Sequence, residues 1–210
     1  MASFTYPELN HARNSIRLLR ILYKAGPSSS LISCKIYNVP LIRRPPYIAV
    51  SYVWGTEIAT KEVSLNGASF FVRENVWRLL EEIRTHDTLK YRLFWVDAIC
   101  INQADINERN DQVRIMREVY TIATDVLVWL GPPTDDSDLA MEYVAKQDPI
   151  AGGLSKAAEY LKEGYQRWND LEGKAFLNLC SNGYWRWVWI VQEIMLGNRI
   201  LVFSGASNFK

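Results

Sequence analysis

Histidine is nearly missing from this chain, with two copies, and cysteine is scarce, with three. Cys34, Cys100 and Cys180 lie far apart, without the close pairs that zinc sites use, and their odd number leaves no complete disulfide set. Each sits among apolar residues, so all three read as reduced, buried thiols of a cytoplasmic protein. His11 and His86 stand in polar stretches with no serine or cysteine constellation, which argues against a histidine-activated nucleophile. Excess positive charge is lacking too. The formal net charge is +1 and Arg43-Arg44 is the adjacent basic pair of note, so no cationic face wide enough to track a phosphate backbone is seen. Nucleic acid is therefore not an expected partner. No apolar run approaches the length of a bilayer crossing, and "MASFTYPELNHARNSIRLL" has no apolar signal core. A soluble protein without a membrane partner is expected. Phosphate loops, dinucleotide glycine fingerprints and serine elbows are absent as well.

What is present is aromatic. Eight tryptophans stand in a chain of 210 residues, of which 22% are charged, a globular composition large enough for one domain with a substantial core. "SIRLLRILY" and "LISCKIY" read as two short strands of an N-terminal lead-in, residues 1–46, at the sheet edge. "YIAVSYVWG" is an apolar strand from Tyr47 to Val53, continuous enough for burial on both faces. "KEVSLNGASFFV" alternates about Asn66-Gly67, the pair suited to a type I′ hairpin. Val76, Leu79, Leu80 and Ile83 mark one face of an amphipathic helix. "LFWVDAIC" predicts a second strand from Leu93 to about Ile99, and a polar loop then opens a helix near Asn107 with Val113, Met116, Tyr120 and Ala123 inward. "DVLVWLG" is a third strand and "NRILVFSG" a fourth. Strand, helix, strand is the unit of a parallel sheet. The fold class expected is α/β, a mainly parallel sheet flanked by helices, with a small hairpin insertion and a helical insertion at about 135–182.

In such a sheet, ligands bind beyond the carboxyl ends of the strands, where strand order reverses. Ser51, Tyr52, Trp54 and Gly55 end the first strand there; Asp97, Asn102 and Gln103 follow the second. Near the end of the chain, "YWRWVWIVQE" places Arg186, Trp189 and Glu193 along one helical face. A carboxylate held against indole rings, partly dried, stabilises a developing positive charge better than it does in water. Blander readings stand beside this. Tryptophans at helical spacing are usually core, Glu193 on spacing alone suits a salt bridge to Arg186 or a cap, and Asp97 suits the amides of its own loop. Glu108 and Arg109, in the first turn of a helix, read as a capping and solvated pair.

"YIAVSYVWG", "LFWVDAICINQADINERNDQVRIMREVYTIATDVLVWLG" and "YWRWVWIVQEI" resemble, in order and spacing, three signature blocks of the fungal heterokaryon incompatibility (HET) domain, over about Ile16 to Gly205. One departure is that Trp187 stands where the family commonly has an arginine two residues before the tryptophan of W-x-x-Q-E; the arginine here is its neighbour, Arg186. HET domains trigger regulated cell death on fusion of incompatible fungal individuals and look distantly similar to TIR domains. "VSY", "VDAICINQAD" and the Trp189–Glu193 spacing fit that second likeness.

The resemblance implies a flavodoxin/TIR-like core at 47–205, within the N-terminal part of a longer protein that carries a regulatory C-terminal or partner sensor domain. It implies Glu193 as the catalytic carboxylate of an enzyme that consumes NAD as substrate and needs no cofactor or metal. Ser51, Tyr52, Trp54, Gly55, Asp97, Asn102, Gln103, Arg186 and Trp189 are then candidates for holding NAD. Self-association is implied as the trigger of activity. The rival expectation is a non-enzymatic adaptor that signals by self-association alone.

Overall fold

A computed structural model describes residues 2–10, 14–23, 31–134, 136–146, 170–186, 188–204 and 207–209. Nine strands form one sheet: β1 (Ser15–Ile21), β2 (Ser33–Pro40), β3 (Ile48–Tyr52), β4 (Lys61–Leu65), β5 (Ala68–Val72), β6 (Phe94–Trp95), β7 (Asp125–Trp129), β8 (Ile200–Ser204) and β9 (Ser207–Phe209), in the order β5-β4-β2-β1-β6-β3-β7-β8-β9. Six helices accompany them among the described residues: α1 (Glu74–Thr85), α2 (Asp97–Cys100), α3 (Ile106–Thr121), α4 (Ser137–Lys146), α5 (Leu171–Cys180) and α6 (Val188–Leu196). None is long and apolar enough to cross a membrane.

The class is α/β, but the sheet is mixed. β6, β3, β7 and β8 are mutually parallel, whereas β1 pairs antiparallel with both β2 and β6, and two hairpins close the ends. The lead-in therefore does not lie at the edge. β1 is interior, with β2, β4 and β5 beyond it. Its residues alternate less than an edge strand would, and six of its seven are buried.

Every residue of β3 and β7 is buried, as continuous apolar runs demand of strands covered on both faces. The hairpin turns through Asn66 at φ 53° and Gly67 at φ 85°, the left-handed pair that a type I′ turn requires. In α1 the buried residues are the expected Val76, Leu79, Leu80 and Ile83.

The second strand is shorter than its sequence suggests. Only Phe94 and Trp95 pair; from Asp97 the backbone turns into α2, with Ile99 and Cys100 donating back to the carbonyl of Val96. Apolarity there reflects burial of a helical turn rather than strand pairing.

α3 differs too. Tyr120 and, just beyond the helix, Ala123 are buried, but Val113 is 47% exposed, and the inward face carries Glu108 and Gln112. The reason is Arg17 of β1, wholly buried. Its Nη1 donates to Glu108 at 2.5 Å and to the Cys100 carbonyl at 3.1 Å; Nη2 donates to Glu108 at 2.9 Å and to the Pro7 carbonyl at 2.5 Å. The Tyr6 ring lies over the guanidinium, 4.7 Å from centroid to Cζ. Gln112 donates to the Ser15 carbonyl at 3.0 Å. Glu108 is thus a buried partner and not a solvated cap; the cap is Asp105, whose side chain accepts from the amides of Asn107 and Glu108. Of the three thiols, Cys34 and Cys100 are buried and Cys180 is exposed, which corrects the expectation for the last. His11, Trp187 and residues 135 and 147–169 of the expected helical insertion lie outside the described residues.

Candidate functional site

The carboxyl ends of β3 and β7 are joined by a small side chain. Asn75, in the first turn of α1, donates to the Val53 carbonyl at 2.7 Å and accepts from the Trp129 indole at 2.9 Å. Beyond that knot the chain turns at Gly55, whose φ of 74° strains any residue bearing a Cβ. Tyr52 and Trp54 are left projecting towards α2. The Tyr52 hydroxyl donates to one Asp97 oxygen at 2.8 Å and the Trp54 indole to the other at 2.7 Å; the Ala98 amide adds a third bond at 2.7 Å. Burial still raises the Asp97 carboxyl above its usual range, against the pull of those donors.

Glu193 comes to the same place from α6, which packs on β3 and α3. Its carboxylate accepts a hydrogen bond from Ser51, itself buried in β3. The Tyr184 hydroxyl lies 2.5 Å from Ser51 Oγ, and since the serine proton goes to Glu193, the tyrosine is the donor. A relay of two hydroxyls therefore ends on the carboxylate. The Tyr120 hydroxyl, bonded to the Val50 carbonyl at 3.0 Å, lies beside it as well. Burial pushes the Glu193 carboxyl up to about 7, the Ser51 hydrogen bond opposing and the Asp97 charge reinforcing the shift. Two carboxylates, both hard to ionise, face one cavity of about 460 Å³, whose walls include Tyr52, Trp54, Arg73 and Ile190. Single small-molecule pockets span roughly 300–1,000 Å³.

Six of the ten residues singled out from the sequence meet at this cavity or support it: Tyr52, Trp54, Gly55, Asp97 and Glu193 line it, and Ser51 holds Glu193 from behind. Asn102 and Gln103 do not line it; they border a neighbouring cavity, and Gln103 donates to the Asp97 carbonyl at 3.0 Å. Arg186 is also displaced. It belongs to a 3-10 turn, Gly183–Arg186, ahead of α6, and is exposed, so it shares no helix face with Glu193 and makes no salt bridge to it in the described contacts. Trp189 lies in α6 one turn before Glu193, with its side chain outside the described residues. Among the other aromatics of that stretch Tyr184 is fully buried, while Trp185 is 41% exposed and donates to the Leu179 carbonyl.

Sequence reasoning missed Arg73, Asn75 and the relay through Tyr184. Arg73 immediately precedes α1, where a cap of the Ser or Asp type is usual; it makes no side-chain cap and is directed to Trp54, 5.2 Å from the ring centroid. That unusual residue at a helix start was the available signal.

Residues 47–193 match the family described as heterokaryon incompatibility protein (HET). The chain is also similar to heterokaryon incompatibility protein 6, OR allele, of Neurospora crassa, with 37% identity over 155 residues, covering 69% of this chain and 23% of that protein. No solved structure matches.

Proposed function

For this chain, which belongs to the heterokaryon incompatibility (HET) domain family, we propose the role of a cell-death effector domain of fungal incompatibility that cleaves the nicotinamide–ribose bond of NAD. The observation that carries the reading is Glu193, a carboxylate tethered by Ser51 in the wall of a largely apolar cavity that also holds the Asp97 carboxylate. The order of the parallel strands supports a flavodoxin/TIR-like core: numbered along the chain as they follow one another in that block, they run second, first, third, fourth.

In the proposed reaction the bond from ribose C1′ to the nicotinamide nitrogen breaks, and its electron pair leaves with the ring as neutral nicotinamide. Water adds to C1′ and loses a proton, giving ADP-ribose. Glu193 in its ionised form faces the positively charged sugar, the role a carboxylate takes in glycoside hydrolysis. Asp97 fixes Tyr52 and Trp54, and the Trp54 ring offers a stacking surface for the base. No general acid is needed for a neutral leaving group. Activity is expected to rise on self-association, under control of a further regulatory or sensor domain.

The test is incubation of concentrated protein with NAD, reading nicotinamide release beside Glu193→Gln. Release that the variant abolishes supports the reading. An assembled Glu193→Gln protein that still kills cells, with NAD untouched in both proteins, overturns it in favour of a self-associating adaptor.

A further inference from the structure

The hydrolytic reading uses one cavity, and a second of about 480 Å³ adjoins it. Tyr52, Trp54 and Arg73 line both, so the two chambers meet across a single wall. The far side of the second chamber is built from segments outside the parallel block: Tyr6 of the N-terminal segment, Phe70 of the hairpin, and the Asn102–Ala104 loop after α2. These parts are fastened to one another. Tyr6 and Phe70 meet edge to face at 6.0 Å, the Tyr6 hydroxyl donates to the Ile99 carbonyl at 3.0 Å, and the Asn102 backbone N–H donates to the buried Glu108 at 2.6 Å.

We propose that the second chamber takes the second base of a dinucleotide, and that Arg73, at the shared wall, binds the diphosphate joining its two halves. This rests on the NAD reading and deepens it by naming where the adenosine half goes. Charge fixes the orientation. The cationic nicotinamide ring belongs in the chamber with two carboxylates, Asp97 and Glu193, while the dianionic diphosphate belongs at the guanidinium. Arg73 is held for that task by stacking on Trp54 and by an Nε bond to the Glu57 carbonyl at 2.8 Å. The second chamber has one acidic residue, the exposed Glu57; the rest of its polar lining includes the side-chain amides of Asn102 and Gln103. Asn102 Oδ1 accepts from the Ala104 N–H and Gln103 Nε2 donates to the Asp97 carbonyl, so that the Asn102 NH2 and the Gln103 oxygen serve as donor and acceptor to the edge of a purine, beside aromatic edges. The two chambers offer a place for a base at each end, with the Arg73 guanidinium between them.

The experiment is calorimetric binding of NAD, nicotinamide mononucleotide and ADP to the wild type, to Arg73→Ala and to Ala104→Trp, with nicotinamide release measured in parallel. Ala104 is exposed on the second chamber only, so an indole there fills that space without touching the core. NAD is expected to bind about tenfold or more tighter than nicotinamide mononucleotide. Ala104→Trp should abolish ADP binding and remove the advantage of NAD while leaving the mononucleotide unchanged; Arg73→Ala should weaken all three phosphate-bearing ligands. Equal affinity for NAD and the mononucleotide in the wild type, or no response to Ala104→Trp, overturns the inference even if nicotinamide is released. Discrimination between the two without any release sustains it and counts against the hydrolytic reading instead.

Discussion

Ser51 and Glu193 stand 142 positions apart in the chain and share a hydrogen bond, the serine donating from the buried interior of β3 to a carboxylate on α6. That bond joins the sheet to the last described helix and eases the ionisation of a carboxyl that burial holds up. It also makes the state of Glu193 measurable in two independent ways.

The first is stability. The folded state raises this carboxyl from 4.5 to about 7, so folding favours the protonated form. Ionisation costs the fold nothing below pH ~4.5, where both states are protonated; stability is lost between there and about 7 and stays at its lower level above. Glu193→Gln should therefore be more stable than wild type at pH 8, on the order of 2 kcal/mol after allowance for partial exposure, and nearly equal to it at pH 4.5. Denaturant midpoints across that range check it; a difference independent of pH would contradict the burial argument.

The second is rate. Since the ionised carboxylate is the form that opposes positive charge on the sugar, nicotinamide release should rise as pH passes through about 7 and level off above. Ser51→Ala removes a hydrogen bond that lowers this pKa, and should move the midpoint upward by roughly one unit. A pH–rate profile of the two proteins decides the point. A Ser51→Ala profile unmoved or shifted to lower pH would refute the relay.

Arg17 and Glu108 make a separate prediction. Removing one partner of a buried ion pair strands the other, and Arg17 has no exposure to solvent. Glu108→Ala should cost about 3–5 kcal/mol by urea unfolding. The double variant Arg17→Met, Glu108→Leu should recover part of that loss, because no charge is left buried and unpaired, while the Cys100 and Pro7 carbonyls and the Asn102 N–H still lose these partners.

The hairpin offers a smaller test. Gly67 has φ 85° and a Cβ added there would meet nothing within 4 Å, so the penalty for a side chain is conformational and not a clash. Gly67→Ala should destabilise by about 1 kcal/mol. It should leave the affinity of the Glu193 cavity for NAD unaltered, since Gly67 does not line it.

Periodicity makes much of the architecture legible. The face of α1, the buried runs of β3 and β7, and the turn at Asn66-Gly67 follow from spacing and from backbone preferences local to a few residues. The gathering of Tyr52, Trp54, Asp97 and Glu193 is legible too, because strand ends in an α/β sheet converge by topology. Arg186 falls elsewhere for an equally local reason. Helical spacing places it beside Glu193 only if a single helix runs from Tyr184, whereas a 3-10 turn precedes α6 and the phase is lost. Asn102 and Gln103 reach the right neighbourhood and the other chamber, since sequence order does not say on which side of Trp54 a loop falls.

By itself, the sequence determined the α/β class, the family and the carboxylates beyond the strand tips, because hydrophobic period and signature residues are written along the chain. Tertiary structure alone decided the rest. That β1 lies inside the sheet, that Glu108 is buried on Arg17, that Tyr184 and Ser51 lead to Glu193, and that Arg73 stands between two chambers are all pairings across dozens of residues. A polar side chain's partner in the interior is chosen by the cost of leaving it unbonded there, and that choice exists only once the elements have packed.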